Sequence, residues 1–136
     1  MSTLQLKIVT PEKEIYSGDV EMVTAQTKDG EIGILPHHTN LMTQIVPGEL
    51  KIKKGSQIIY LATGNGLLQM ADNQLSIMTD LAEEAEEINE KAAEEAKNRA
   101  QAALEQKLTV EEYATTLATL EKSLAQLKVK RRHRIR

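Results

Sequence analysis

The sequence changes its hydrophobic period once, near Thr79-Asp80, and that change constrains the fold more than any single motif. Before it, apolar residues tend to alternate with polar ones, the period of a half-buried strand; after it they recur every three or four residues, the period of a helix. All seven glycines and all three prolines fall before Asp80, and alanine crowds after it. The expectation is a β + α protein: residues 1–80 as an aliphatic β-sandwich, and residues 81–136 as an antiparallel two-helix hairpin with a basic tail.

Leu4–Val9 alternates up to Thr10-Pro11, and Val20–Ala25 alternates up to a turn at Asp29-Gly30. Leu41–Val46 leads into Pro47-Gly48, Leu50–Lys53 into Lys54-Gly55, and Ile58–Ala62 is a continuous apolar run. Gly66–Met70 and Leu75–Met78 flank Asp72-Asn73, a hairpin signal. With Glu31–Leu35 this makes about eight short strands with frequent turns, the pattern of a sandwich or barrel. The chain of 136 residues has no Phe, Trp or Cys, so its core is aliphatic and it holds neither disulfides nor thiolate metal sites. No apolar run approaches the roughly 20 residues that span a bilayer, and no basic-then-apolar leader is visible at the N-terminus.

The stretch Asp29–Leu41, DGEIGILPHHTNL, gathers the special backbone residues. Gly30 suits a turn, Gly33 marks a bulge or a close approach, and Pro36 ends the ladder and holds Leu35 extended. It reads either as a loop built to present something or as an ordinary sheet corner. Glu31 in it could equally be a solvated turn acid.

Thr79 or Asp80 can cap a helix, helped by Glu83 three residues beyond Asp80. Ala85, Ile88, Ala92, Ala96, Ala100 and Ala103 form a stripe of small side chains. Thr109-Val110-Glu111-Glu112 is a capping box for a second helix, in which Tyr113, Leu117, Leu120, Leu124 and Leu127 step as a coiled-coil seam. Alanine against leucine allows close approach but buries little area, so the hairpin is weakly specified. It could be a switch that unpacks while staying helical, or a plain stabilising appendage.

Net charge is −3 overall, made of −3 over residues 1–80, −5 over 81–128 and +5 over 129–136. The basic end suits a helix dipole and could also meet an acidic partner, RNA or an anionic surface. His37 and His38 lack a third ligand at useful spacing and His133 stands apart, so no metal site is expected. Gly64-Asn65-Gly66 is not a phosphate loop, since no Lys-Ser/Thr follows and no helix opens there. No serine-hydrolase spacing or placed carboxylate pair is present, so no catalytic residue is expected.

Taken in order, VTPEKEIYSGDVEMV (9–23), GEIGILPHHTNL (30–41), ATGNGLLQM (62–70) and a two-helix end resemble the epsilon subunits of F-type ATP synthases over essentially the whole chain. The resemblance implies a ten-stranded sandwich and a helical hairpin in a non-catalytic rotor subunit, which couples proton-driven c-ring rotation to ATP synthesis and restrains ATP hydrolysis. It implies c-ring contact through Glu31, Ile32, Gly33 and His38, grouped at one end of the sandwich. It implies gamma contact near Gly64, Gly66 and Leu67, and contact of Lys130, Arg131, Arg132 and Arg134 with an acidic segment of the beta subunit when the hairpin extends. The family's nucleotide motif would fall on Ile88-Asn89-Glu90-Lys91-Ala92-Ala93, with Glu83 and Arg99 nearby. Asparagine and alanine there replace the usual acid and arginine, so ATP is expected to bind weakly or not at all and no cofactor is expected. The implied location is the cytoplasmic face of a bacterial plasma membrane, peripheral and through the complex. The alternative is a free-standing sandwich with a basic helical arm for nucleic acid or an acidic partner. Co-purification with gamma separates the two.

Overall fold

The computed structural model describes residues 2–133. Ten strands come first: β1 (Leu4–Val9), β2 (Glu14–Val20), β3 (Met22–Thr27), β4 (Gly30–Ile34), β5 (Leu41–Ile45), β6 (Gly48–Lys54), β7 (Gln57–Thr63), β8 (Gly66–Ala71), β9 (Gln74–Thr79) and β10 (Ala82–Glu84). A 3₁₀ turn over Ala85–Glu87 leads to α1 (Glu90–Leu104) and α2 (Val110–Arg132). No helix among the described residues is long and apolar enough to cross a membrane.

The strands follow one hydrogen-bonded path, β10-β7-β6-β3-β5-β8-β9-β1-β2, with β4 paired to β3. A single pair, Thr27 with Ile45, joins β3 to β5, and there the path folds into two layers. Every pairing is antiparallel except β1 with β9. Alternation sets which side chains meet between the layers: Leu4, Leu6 and Ile8 from β1, Leu50 and Ile52 from β6, and Leu75 and Ile77 from β9 are all 1% exposed or less. Burying each such side chain contributes about 1.5–3 kcal/mol, and the interior is aliphatic as the sequence requires.

Two strands were not legible in the alternation. β2 carries Ser17, Gly18 and Asp19, and β10 is Ala-Glu-Glu pairing with Leu61–Thr63 of β7. β10 also overturns the expected helix start at Thr79 or Asp80. The Asp80 carboxylate binds Lys122 at 3.1 Å, the Thr79 hydroxyl donates to the carbonyls of Asn65 and Leu81, and the chain continues as a strand to Glu84. The first helix opens at Glu90 instead, where Asn89 Oδ1 accepts from Ala92 N at 3.0 Å. The capping box at Thr109 and Glu112 forms as its spacing predicts.

The turn at Asp72-Asn73 has positive φ at both residues, as the shortest hairpins require. A second turn closes through His38 N donating to the Leu35 carbonyl at 3.1 Å, with Pro36 second and His37 third at φ 65°. That is a type II turn with a histidine where glycine is the unstrained choice. Gly33 makes no bulge, since β3 and β4 pair without a break; a Cβ there would sit 3.0 Å from the Met22 methyl.

A Cβ on Gly66 would stand 2.0 Å from the Met78 carbonyl oxygen, so any side chain there forces β8 away from β9. Gly66→Ala should therefore cost about 2 kcal/mol or more. His37→Gly relieves the left-handed backbone and keeps the bond from His37 N to Asn73 Oδ1, so it should stabilise by up to about 1 kcal/mol. Denaturant midpoints of the two variants, compared with the parent, check both signs.

Candidate functional site

The helices meet the sandwich on the outer face of β6 and β7. Register places Glu49 opposite Ala62 and Lys51 opposite Tyr60, and these side chains point away from the core. α2 lies across this face. Val129, fully buried, packs with Ala62, Ala85 and Ile88 beside the half-buried Tyr60. The side chains are small, so apolar burial alone holds the hairpin only modestly.

Polar contacts follow α2 at helical spacing. Lys122 reaches Asp80, Gln126 donates to Glu83 at 2.9 Å, and the Lys130 ammonium donates to the carbonyls of Ala85 and Glu86 at 3.1 and 3.3 Å. One turn-spaced row thus grips the linker between the two parts. The last turn closes the junction. Arg131 bridges Glu90 at 3.1 Å and Glu94 at 2.8 Å on α1, and Arg132 reaches Glu49 at 3.3 Å. The His133 ring bonds Glu49 through Nε2 and stacks on Tyr60, with centroids 3.6 Å apart and planes 12° apart. Charges respond accordingly. The carboxylates of Glu90 and Glu94 hold the Arg131 guanidinium above its usual range, and Lys97 first, then Arg131, pulls the Glu94 carboxyl below its own. Burial, followed by repulsion from Glu87 and Glu86, pushes Glu84 up.

The helical faces differ from the expected ones. On α1, Ala93 and Ala100 are buried and Ala92 is exposed, while Ala85 and Ile88 precede the helix and pack on Val129. On α2, Tyr113 and Leu124 of the expected seam are 49% and 45% exposed, whereas Ser123, Ala125, Leu127 and Val129 are buried. α2 packs against both α1 and the sheet, which turns its buried side away from a two-helix seam.

The other sequence-chosen residues are spread out. Glu31 follows the Thr27–Gly30 turn, pairs opposite Gln26 and accepts from its side-chain amide at 3.0 Å. His38 lies past the other end of β4, where its Nδ1 meets the Thr39 carbonyl at 2.8 Å. Glu31, Ile32, Gly33 and His38 therefore share one outer strand and its corner rather than one end of the sandwich, which corrects that expectation. A Cβ on Gly64 would stand 2.0 Å from Asp80 Oδ1, a side-chain atom that can turn aside, whereas the clash at Gly66 is with backbone. Leu67 is the exposed member of that group; its cross-strand partner Met78 is exposed too, and Met78 borders a hollow of about 340 Å³ with Val9, Pro11 and Asn65.

The four residues considered for a nucleotide do not converge. Glu83 holds Gln126, Ile88 is buried, Asn89 caps α1 and Arg99 is exposed farther along that helix. A groove of about 370 Å³ beside Tyr60 and His133 has Glu84 and Glu86 in its wall, which repels a phosphate rather than receiving it. No cluster among the described residues could hold a metal ion. Arg134 lies outside the described residues.

Two family descriptions divide the chain between them. Residues 3–85 match the β-sandwich domain of the ATP synthase delta/epsilon chain, and residues 86–131 match its long α-helix domain. The chain belongs to the ATP synthase delta/epsilon family. Named ATP synthase epsilon chains are similar over nearly their whole lengths. One from Alkalilimnicola ehrlichii is 36% identical across 100% of this chain and 98% of its own. One from Nitrosococcus oceani is 38% identical across 97% and 95%. As an epsilon-type chain of this family, the protein is a non-catalytic subunit of an ATP synthase. The fold is shared with a chain in the Euglena gracilis mitochondrial ATP synthase, at TM-score 0.77 and 23% identity over 94% of this chain and 81% of that one. It is also shared with a chain from the Tetrahymena thermophila enzyme, at TM-score 0.67 and 18% identity over 93% and 95%.

The lowered Glu94 carboxyl, held first by Lys97 on its own helix and then by Arg131, gives α1 an acid-side pH dependence with a definite sign. A depressed carboxylate contributes stability that is present above its unfolded value and is lost as pH falls through its folded one. Acid titration followed by helix circular dichroism should show α1 losing some helicity on that side, and Glu94→Gln should flatten the dependence. A titration unaffected by Glu94→Gln would leave the pair without energetic weight.

Proposed function

We propose that the chain turns with the central stalk of its ATP synthase, seated between gamma and the c-ring by the sandwich and acting on hydrolysis through the hairpin. The observation that carries this reading is the division of labour in the fold. The sandwich has its own closed aliphatic core, whereas the hairpin rests on it through a few small side chains and many polar contacts. A part held that way can leave without unfolding the rest.

The exposed pair Leu67 and Met78, with the hollow beside them, supplies the apolar surface for gamma. β4 and its following corner, carrying Glu31, Ile32, Gly33 and His38, supply the c-ring contact along an outer strand. When the hairpin extends, Lys130, Arg131, Arg132 and Arg134 meet an acidic surface of the catalytic alpha/beta hexamer and obstruct rotation. The subunit is then peripheral, held through the complex at the cytoplasmic face of a bacterial plasma membrane, where it serves proton-driven ATP synthesis. Membership of the family sets aside the free-standing binding module.

The division between the two working parts falls best after β10, because a cut at residue 80 strips the strand that pairs with β7. Removing residues 86–136 should leave a folded sandwich that still co-purifies with gamma and the c-ring, and should raise ATP hydrolysis by the assembled enzyme several-fold. Leu67→Glu in the intact chain should weaken gamma binding by about tenfold or more, since it puts a charge into an apolar contact. Unchanged hydrolysis in the truncated assembly would make the hairpin a passive appendage.

A further inference from the structure

The basic end of α2 is already engaged within the chain, and the acids that engage it come from two separate elements. Glu49 projects from β6 and takes both Arg132 and His133; Glu90 and Glu94 project from α1 and take Arg131. Lys130, next to Arg131, donates to the carbonyls of Ala85 and Glu86 in the 3₁₀ turn. These pairs differ in enclosure. The side chains of Arg131 and Arg132 are 50% and 61% exposed, and such pairs in water contribute little. His133 and Glu49 are 18% and 14% exposed, and the Tyr60 ring covers the imidazole from one face. The histidine–glutamate bond is thus the least exposed of these ion pairs, and losing one of its partners costs more than at the exposed pairs.

We infer that His133 and Glu49, with Tyr60 beneath and Arg132 beside them, form a latch that fastens the tip of α2 to the sandwich and keeps the basic tail from outside partners. Its place makes it a control point. It lies at the far end of α2 from the loop that joins the helices, so opening it frees the helix tip first. The small cluster of Val129 with Ala62 sits one turn earlier and has little area with which to hold alone. Any acidic partner for the tail competes with Glu49 for Arg132 and with Glu90 and Glu94 for Arg131. Acids on the sandwich and on α1 therefore oppose extension, while the bases favour both docked and extended states. Glu49 bonds the ring through Nε2–H whether or not His133 carries a charge, and Arg132 supplies a fixed one.

The test uses the full-length isolated subunit, where no other subunit is needed. The chain has no cysteine, so Lys51→Cys and Lys128→Cys, both at exposed positions, give a clean pair for spin labels reporting docked and open distances. Glu49→Gln should lower the docked-to-open ratio by roughly tenfold. His133→Gln with Arg132→Gln, made from the opposite side and outside the sandwich, should lower it comparably. The three together should do little more than either, because they break one shared contact. Retained sandwich circular dichroism distinguishes opening from unfolding, and the α2 variants decide the matter if Glu49→Gln perturbs β6. Unchanged distances, or effects that simply add, overturn the latch.

What the latch does to catalysis rests on the function proposed above, and assembled enzyme separates the two. Glu49→Gln should deepen inhibition of hydrolysis, whereas removing residues 86–136 relieves it. If the labels show opening and hydrolysis does not change, the latch stands and the inhibitory role falls.

Discussion

The contact of Val129 with Ala62, Ala85 and Ile88 is what joins the two parts of this molecule, and its size governs how they behave. These are few side chains, two of them alanines, and the area they remove from water is a fraction of what the sandwich interior removes. A larger apolar seam would have fused helices and sheet into one cooperative unit. A smaller one would have left the hairpin unplaced. Here the apolar cluster sets position, and polar groups around it supply the remainder: Lys122 and Gln126 on the linker, Lys130 on its carbonyls, and His133 with Arg132 on Glu49. Most of these pairs are partly exposed and fix the arrangement more than they add net stability, and the His133–Glu49 pair is the least exposed of the ion pairs.

The sandwich was legible wherever alternation ran unbroken, as in Leu4–Val9 and Leu50–Lys53, because period two fixes which side chains meet a core. It was not legible in β2, where Ser17, Gly18 and Asp19 interrupt the pattern on an outer strand, nor in β10, whose Ala-Glu-Glu favours a helix in isolation. Pairing with β7 overrides that propensity. Asp80 and Glu83 mimic a helix cap at the level of spacing, yet both face α2, where Lys122 and Gln126 hold them. The true cap is Asn89, nine residues after Asp80. Its work in this chain is to satisfy an amide at the start of α1.

The seam on α2 holds only in part, with Leu127 buried and Leu117 and Leu120 half-buried but Tyr113 and Leu124 exposed, for a related reason. A leucine heptad predicts a helix facing one partner, whereas α2 faces two, and the sheet admits only small residues. Ser123, Ala125 and Val129 are therefore buried while Leu124 is left outside. His133 could not be placed from sequence at all. Its partner Glu49 is one acid on a strand 84 positions earlier, and nothing around either residue announces the other. Contacts between distant segments that depend on how one body rests on another leave no periodic trace.

For the function proposed above, the charges at the junction make a basic tail compatible with control rather than with permanent attachment to an acidic partner. If the cations were free in the docked state, extension would gain their full interaction with an acidic surface and the equilibrium would lie far over. Because Glu49, Glu90 and Glu94 already hold them, the proposed extension would exchange one set of ion pairs for another, and only the difference would move the equilibrium. Shifting a population from mostly docked to mostly open takes a few kcal/mol, which is the size of one enclosed charged hydrogen bond with a little apolar contact. Salt screens the exposed Arg131 and Arg132 pairs more than the enclosed His133 pair, so ionic strength weakens the outer grip before the inner one. The balance therefore turns on Glu49, the acid shared by two bases and the least exposed of the three.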